Sequence, residues 1–220
     1  KYRIQATCTL QYKRLTNEYI LYSPRKKYNY QNTKTANFIA LDPGLRTHLT
    51  GITNNKFIEY GSNIIKTISR QLVKIPKMEK IQDSVKRNKL VQRVERKIKN
   101  KVDDYHWKCI EKLTRYETII MGDLSTKEII SKEKSNFNGL YKNAIMKLRH
   151  FQFKERLKYK CQERNCKYIE IAESYTSKLC TRCSELNDVG SSKVYECKKC
   201  KLKIDRDFNG ARNILLRSIF

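Results

Sequence analysis

Acidic side chains are scarce in these 220 residues: 22 Asp and Glu stand against 48 Lys and Arg, for a net charge of +26. Such an excess repels itself unless a polyanion neutralises it, and displacing counterions from phosphates makes that association sensitive to salt. Also lacking are an apolar run long enough to span a bilayer, a lipidation signal and a visible signal peptide;. The basic residues are not confined to one terminal segment, which disfavours a membrane surface and leaves nucleic acid as the leading partner;. There is no internal repeat or low-complexity segment, and none of His48, His106 and His150 has a metal-spaced partner, so packing or surface roles are expected for them;.

Cysteine is the exception to this poverty. Eight are present, and in a basic chain without an export signal they point to a reducing, intracellular compartment, where metal binding outweighs disulfides;. Cys180, Cys183, Cys197 and Cys200 form a C-x2-C-x13-C-x2-C pattern. Two thiolate pairs on tight turns close a tetrahedral shell around Zn2+, and with four ligands filled that zinc is structural. Cys161 and Cys166 read as free thiols near a helix end, and Cys8 and Cys109 as buried thiols;.

The chain opens on Lys1 directly into alternation and reads as the C-terminal part of something longer. Residues 1–36 are expected to hold two short strands of a preceding β domain and a linker, with the strands ending near Pro24;. The remainder, 37–220, is expected to be an α/β domain. Phe38 to Asp42, His48 to Ile52 and Lys56 to Tyr60 read as a three-strand meander;. A helical insertion over about 66–117 follows, its apolar residues from Met78 to Leu113 keeping steps of three and four;. Ten Lys or Arg against three acids between Lys77 and Lys101 mark this helix as a phosphate-contacting face, with Lys86, Arg87, Arg93, Arg96 and Lys97 as candidate contacts;. Thr118 to Met121 reads as a strand, Leu140 to about Gln162 as one helix carrying Leu140, Ala144, Leu148 and Phe151 on one face, and Tyr168 to Glu173 as a strand. The cysteine segment spans about 174–204, and Phe208 to Leu216 is helical. Trp107 is expected in the core.

Three acids stand at element ends: Asp42 and Glu173 close strands, and Asp207 opens the last helix. Drawn together, such carboxylates could hold two hard Mg2+ ions about 4 Å apart, the arrangement that serves phosphodiester hydrolysis.

The order of motifs resembles the Fanzor and TnpB family of transposon-associated nucleases, relatives of the type V CRISPR effectors with a split RuvC-like domain. Ala40-Leu41-Asp42-Pro43-Gly44-Leu45-Arg46-Thr47 is similar to its first RuvC motif, Ile119-Ile120-Met121-Gly122-Asp123-Leu124-Ser125 to the second and Asp205-Arg206-Asp207-Phe208-Asn209-Gly210-Ala211 to the third. Tyr175-Thr176-Ser177-Lys178-Leu179-Cys180 resembles the entry to its zinc ribbon. The resemblance implies an RNase H-like (RuvC) mixed sheet flanked by helices, with an inserted zinc ribbon. It also implies an RNA-guided DNA endonuclease, its partners a guide RNA encoded with the element and double-stranded target DNA. The TnpB pattern has a catalytic glutamate where this chain has Gly122; Asp123 would point to the other side of the strand;. The Fanzor branch moves that glutamate to just before Tyr-Thr-Ser, the place of Glu173, so Asp42, Glu173 and Asp207 become the implied Mg2+ ligands. Asp205 stands as an alternative to Asp207. Arg46 either touches a scissile-strand phosphate or braces its loop, and Arg206 either contacts phosphate or fixes Asp205. Two other readings stay open: an unguided structure-selective nuclease or resolvase, and a catalytically dead zinc-ribbon nucleic-acid-binding protein. In a eukaryote or its virus the place of action would be the nucleus, otherwise the cytoplasm.

Overall fold

The computed structural model describes residues 6–14, 17–24, 36–54, 56–124, 138–172, 176–188, 190 and 192–219. A hairpin of β1 (Thr9–Lys13) and β2 (Glu18–Tyr22) comes first. Its register sets Leu10 opposite Leu21 and Tyr12 opposite Tyr19, with the two tyrosine rings stacked 4.8 Å apart. Cys8, expected buried, is only half-buried beside this small element.

The central sheet has the order β5-β4-β3-β6-β7. Strands β3 (Ala36–Pro43), β4 (Leu49–Ile52) and β5 (Phe57–Tyr60) form the expected antiparallel meander, while β6 (Tyr116–Asp123) and β7 (Lys167–Ala172) add in parallel beside β3. The parallel pairs require crossovers, and the helices provide them.

Alternation along the strands divides the sheet into two apolar faces. Ile39, Leu41, Leu49, Ile119 and Met121 pack with Cys109, Leu113, Phe153 and Leu157 of the long helices. Ala40, Ile52, Ile120, Ile169 and Ile171 pack instead against Ile214 and Leu215 of the last helix. A second core, around Ile68, Ile98, Val102 and Leu148, joins the helices to one another.

Helices α1 (Ile64–Leu72) and α2 (Ile75–Glu79) precede α3 (Ser84–Leu113), so the expected continuous helix from Met78 is interrupted. The cause is local: Asp83 leaves the helical conformation and its side chain accepts from the N–H groups of Val85 and Lys86, starting α3 afresh;. The expected second long helix is likewise two, α4 (Gly139–Leu148) and α5 (His150–Glu163), broken where Arg149 takes a left-handed conformation with φ of 56°. The break puts Phe151 off the apolar face, and it is 73% exposed. Trp107, expected in the core, lies 42% exposed on α3 with the Arg156 guanidinium 5.2 Å over its ring. Cys161 and Cys166 are thiols buried in the sheet core and not joined in a disulfide, with Cys166 Sγ donating to Thr114 O at 3.3 Å. All three histidines fall in one buried cluster with Tyr105 and Phe153.

Strands β8 (Val194–Glu196) and β9 (Lys203–Asp205) form a small antiparallel ribbon that runs straight into α6 (Arg206–Arg217), the helix covering the second face of the sheet. Among the described residues no helix is long and apolar enough to cross a membrane.

Candidate metal centres and nucleic-acid interface

Two knuckles with the same backbone pattern carry the cysteines. In one, Ser184 N–H donates to Cys180 O and Cys180 N–H to Glu185 O; in the other, Lys201 N–H donates to Cys197 O and Cys197 N–H to Leu202 O. The fifth residue of each turn, Ser184 or Lys201, has φ of 58°, the left-handed value that reverses the chain;. The four Sγ atoms lie within 4.8 Å of one another, with Cys180 and Cys200 at 3.6 Å and Cys183 and Cys197 at 3.5 Å. Four thiolates at 2.3 Å from zinc would have edges of about 3.8 Å, so this set fits a tetrahedral Zn2+ shell.

Backbone N–H groups aim at the sulfurs, as in Arg182 to Cys180 and Cys200 to Cys197, both 3.5 Å. The N–H of Cys200, with that of Lys199, brings the Cys197 thiol down to about 6. Cys183 is pulled down by the N–H of Glu185 but pushed further up, to about 12, by burial and the other thiols. Cys183 and Cys197 are thus pushed in opposite directions, and a dication among the sulfurs removes that conflict;. Behind the knuckles, Asn187 donates to the hydroxyl of fully buried Tyr195 at 2.9 Å and accepts from Lys198 N–H at 3.0 Å, bridging the two halves of the ribbon.

The ribbon also grips α6. Asn209 Nδ2 donates to Leu179 O at 2.8 Å, and Asn213 Nδ2 to Leu179 O and Thr176 O at 2.7 Å each. Arg206 N–H donates to Lys193 O at 2.8 Å. These asparagines escaped the sequence reading, although two amides four residues apart on a helix otherwise facing apolar residues are the signal of a built contact.

At the start of α6 lies Asp207. Asp205 is the N-cap, its Oδ1 accepting from Asp207 N–H at 2.9 Å while Lys193 Nζ sits 3.5 Å from its other oxygen, so its carboxylate is occupied by the fold;. Burial, then the neighbouring Asp205, raises Asp207 above the ordinary carboxylate range, against Lys193, Arg206 and Arg46. Asp42 meets the same helix turn: a Cβ built on Gly210 would fall 2.1 Å from Asp42 Oδ2. Residues 207 and 210 are three apart on α6 and so about 5–6 Å from each other on one helix face, which sets Asp42 within a helix turn of Asp207;. Asp42 is the penultimate residue of β3, at the carboxyl end of the strand, where open α/β sheets gather ligands;.

Gly122 is buried and paired with Ile171; the next residue, Asp123, turns to the opposite face and binds Lys154 at 2.9 Å, as alternation predicts. Lys154 also bonds Glu170, so Asp123 belongs to a surface ion network on the α5 side. Glu173 lies outside the described residues; β7 ends at Ala172, opposite Asp123.

The candidate phosphate contacts divide. Lys86, Arg93 and Lys97 are exposed along α3, with no ion-pair partner among the described residues. Arg87 instead donates to Ile81 O at 3.1 Å, bracing the break before α3, and Arg96 bonds Glu18 of the hairpin at 3.0 Å. Arg206 donates to Gly190 O at 2.6 Å, and exposed Arg46 stands near Asp207.

The family profile described as "Cas12f1-like, TNB domain" matches residues 150–214, the segment holding α5, β7 and the ribbon. A TnpB-like protein of Acanthamoeba polyphaga mimivirus is 32% identical over 224 residues, covering 96% of this chain and 43% of that protein. The CRISPR-associated endodeoxyribonuclease Cas12f1 of Sulfoacidibacillus thermotolerans is 27% identical over 112 residues, 48% of this chain and 26% of that protein. The chain therefore spans less than half the length of these relatives. Among solved structures, a CRISPR-Cas12f ternary complex superposes with a TM-score of 0.55 at 19% identity, covering 89% of this chain and 41% of that one. A Cas12f1-sgRNA-target DNA complex gives 0.53 at 18% identity, covering 80% and 48%. The shared architecture is the RuvC-like mixed sheet, and with the matched segment over its cysteine ribbon the chain belongs to the TnpB-like family.

Proposed function

We propose that this chain is the nuclease part of an RNA-guided DNA endonuclease of a transposable element, cutting double-stranded target DNA by metal-assisted phosphodiester hydrolysis. The observation that carries it is the meeting of Asp42 with the first turn of α6, one turn from Asp207. The similarity to Cas12f1, seen elsewhere with sgRNA and target DNA, supports guide RNA and target DNA as partners. Asp42, Asp207 and Glu173 would hold two Mg2+ ions, which supply a water nucleophile at neutral pH and stabilise the leaving 3′ oxygen.

The donor set suits that ion: hard carboxylate oxygens, partly withdrawn from water, with a raised Asp207 that gains from a nearby cation;. Asp205 holds the α6 N-terminus and so would fix the direction of Asp207, and Arg46, exposed near Asp207, would meet an incoming phosphate. Glu173 follows Ala172 directly, two residues beyond Ile171, whose side chain is on the α6 face. We assign the chain to the Fanzor-like branch on this relocated glutamate.

The vacancy at Gly122 favours one rival, a nucleic-acid binder without catalysis. Cleavage of plasmid DNA with Mg2+ and the RNA that copurifies decides between them. Activity lost in Asp42→Asn, Asp207→Asn and Glu173→Gln supports the proposal; an inactive wild type that still binds RNA supports the binder, and cutting of branched DNA without RNA supports an unguided nuclease.

A further inference from the structure

Away from the carboxylates, a groove of about 710 Å³ lies between the hairpin, the middle of α3 and the end of α4. Its size suits a small ligand unit rather than a duplex, whose phosphates are met on open surfaces. Three side-chain amides line it, Gln92, Asn100 and Asn143, and none has a hydrogen-bond partner among the described residues. Each offers an acceptor and two donors, the combination that reads the edge of a nucleobase.

The lining also holds Met146, 58% exposed, an apolar surface of the kind a base covers;. The acids of the lining are already matched. Glu18 bonds Arg96 at 3.0 Å and Glu95 bonds Lys147, so neither opposes an anion. Lys13, on the hairpin rim, has no ion-pair partner among the described residues and is available to a phosphate.

We propose that this groove binds an unpaired ribonucleotide of the RNA partner and reads its base through Gln92, Asn100 and Asn143. The inference rests on the RNA-binding part of the function proposed above but not on cleavage. It differs from backbone recognition along α3, which carries no sequence information.

The test is equilibrium binding of the whole chain to labelled single-stranded RNA 8-mers of A, C, G-containing mixed sequence and U, each repeated as DNA, without Mg2+ or target. The wild type should prefer one base by about fivefold or more. Asn100→Leu and Asn143→Leu, both on solvent-accessible helix positions, should level that preference while retaining salt-dependent affinity; a circular-dichroism melt confirms their fold. Lys86→Ala should lower affinity for all probes alike and leave the preference. RNA bound with no base preference, or a preference unchanged in both asparagine variants, overturns the groove alone. Equal preference with DNA probes overturns the ribonucleotide assignment, and failure to bind any RNA overturns both this inference and the guided reading.

Discussion

Gly122 and Asp123 show how a single position of alternation directs chemistry. The first is buried at the end of β6, while the second is held on the other face by Lys154 at 2.9 Å. Asp123 is thereby turned to the face opposite Asp42, and under the proposed function a third ligand would come from elsewhere. If Glu173 supplies it, Glu173→Ala should lower the cleavage rate by at least about a hundredfold, the loss of several kcal/mol of charge stabilisation. Adding Gly122→Glu to that variant should return a measurable part of the rate; an unimpaired single variant in a plasmid-nicking assay would exclude Glu173. Asp42 and Asp207 could be singled out from their places at element ends, since strand and helix termini are where side chains escape the packed faces. The role of Asp205 was not legible, because a carboxylate two residues from another reads equally as ligand or cap until its N–H partner is seen.

Among elements, the ribbon and α6 act as one unit. Asn209 and Asn213, both buried, tie the helix to the backbone beside Cys180, and β9 enters the helix directly. We expect Asn213→Leu to lower stability by about 1–3 kcal/mol, since Thr176 O and Leu179 O lose a buried donor;. A urea titration measures this, and a midpoint equal to wild type would contradict it. Zinc should have the same reach. Structural zinc supplies about 10–16 kcal/mol in small modules, so stripping it with a chelator should unfold the ribbon and release the α6 N-terminus. Cleavage should then vanish in Mg2+ and recover only when Zn2+ is returned; full activity of metal-stripped protein in Mg2+ would sink this coupling. The helix breaks at Asp83 and Arg149 mark the limit of periodicity: apolar steps of three and four continue across both, and only cap hydrogen bonding and a left-handed residue reveal the interruptions.

At the scale of the whole molecule, charge and burial pull in different directions. Burial brings His106 and His150 down to about 4 from 6.5, and His48 well below it, with Tyr105 bonded to His48 and with Asp103, Arg149 and Arg156 around His106. The unfolded chain therefore binds more protons between pH 6.5 and 4. Stability is complete above 6.5 and declines as pH falls through that window, by up to about 1.4 kcal/mol per unit for each histidine. Urea midpoints at pH 7.5 and 5 should separate accordingly, less so in His150→Phe; identical midpoints in wild type would contradict the buried neutral cluster. The exposed cations act at the surface instead. Replacing Lys86, Arg93 and Lys97 together by Ala should flatten the slope of log affinity against log salt for nucleic acid by about 2 to 3. A slope unchanged by the triple variant would move phosphate contact elsewhere.

Composition and spacing by themselves determined the basic excess, the clustering of the four cysteines, the order of the strands and the places of Asp42 and Asp207 at element ends. Each of these is a local property: charge is additive, knuckle spacing lies within a few residues, and periodicity is read one segment at a time. Only the tertiary structure decided what meets what. It laid Asp42 against Gly210, gathered three histidines from distant elements into one core, joined the ribbon to α6 through two asparagines and opened a groove between the hairpin and α3. Such contacts arise from burying two faces of one sheet at once, and no stretch of sequence records which residues that packing brings within reach.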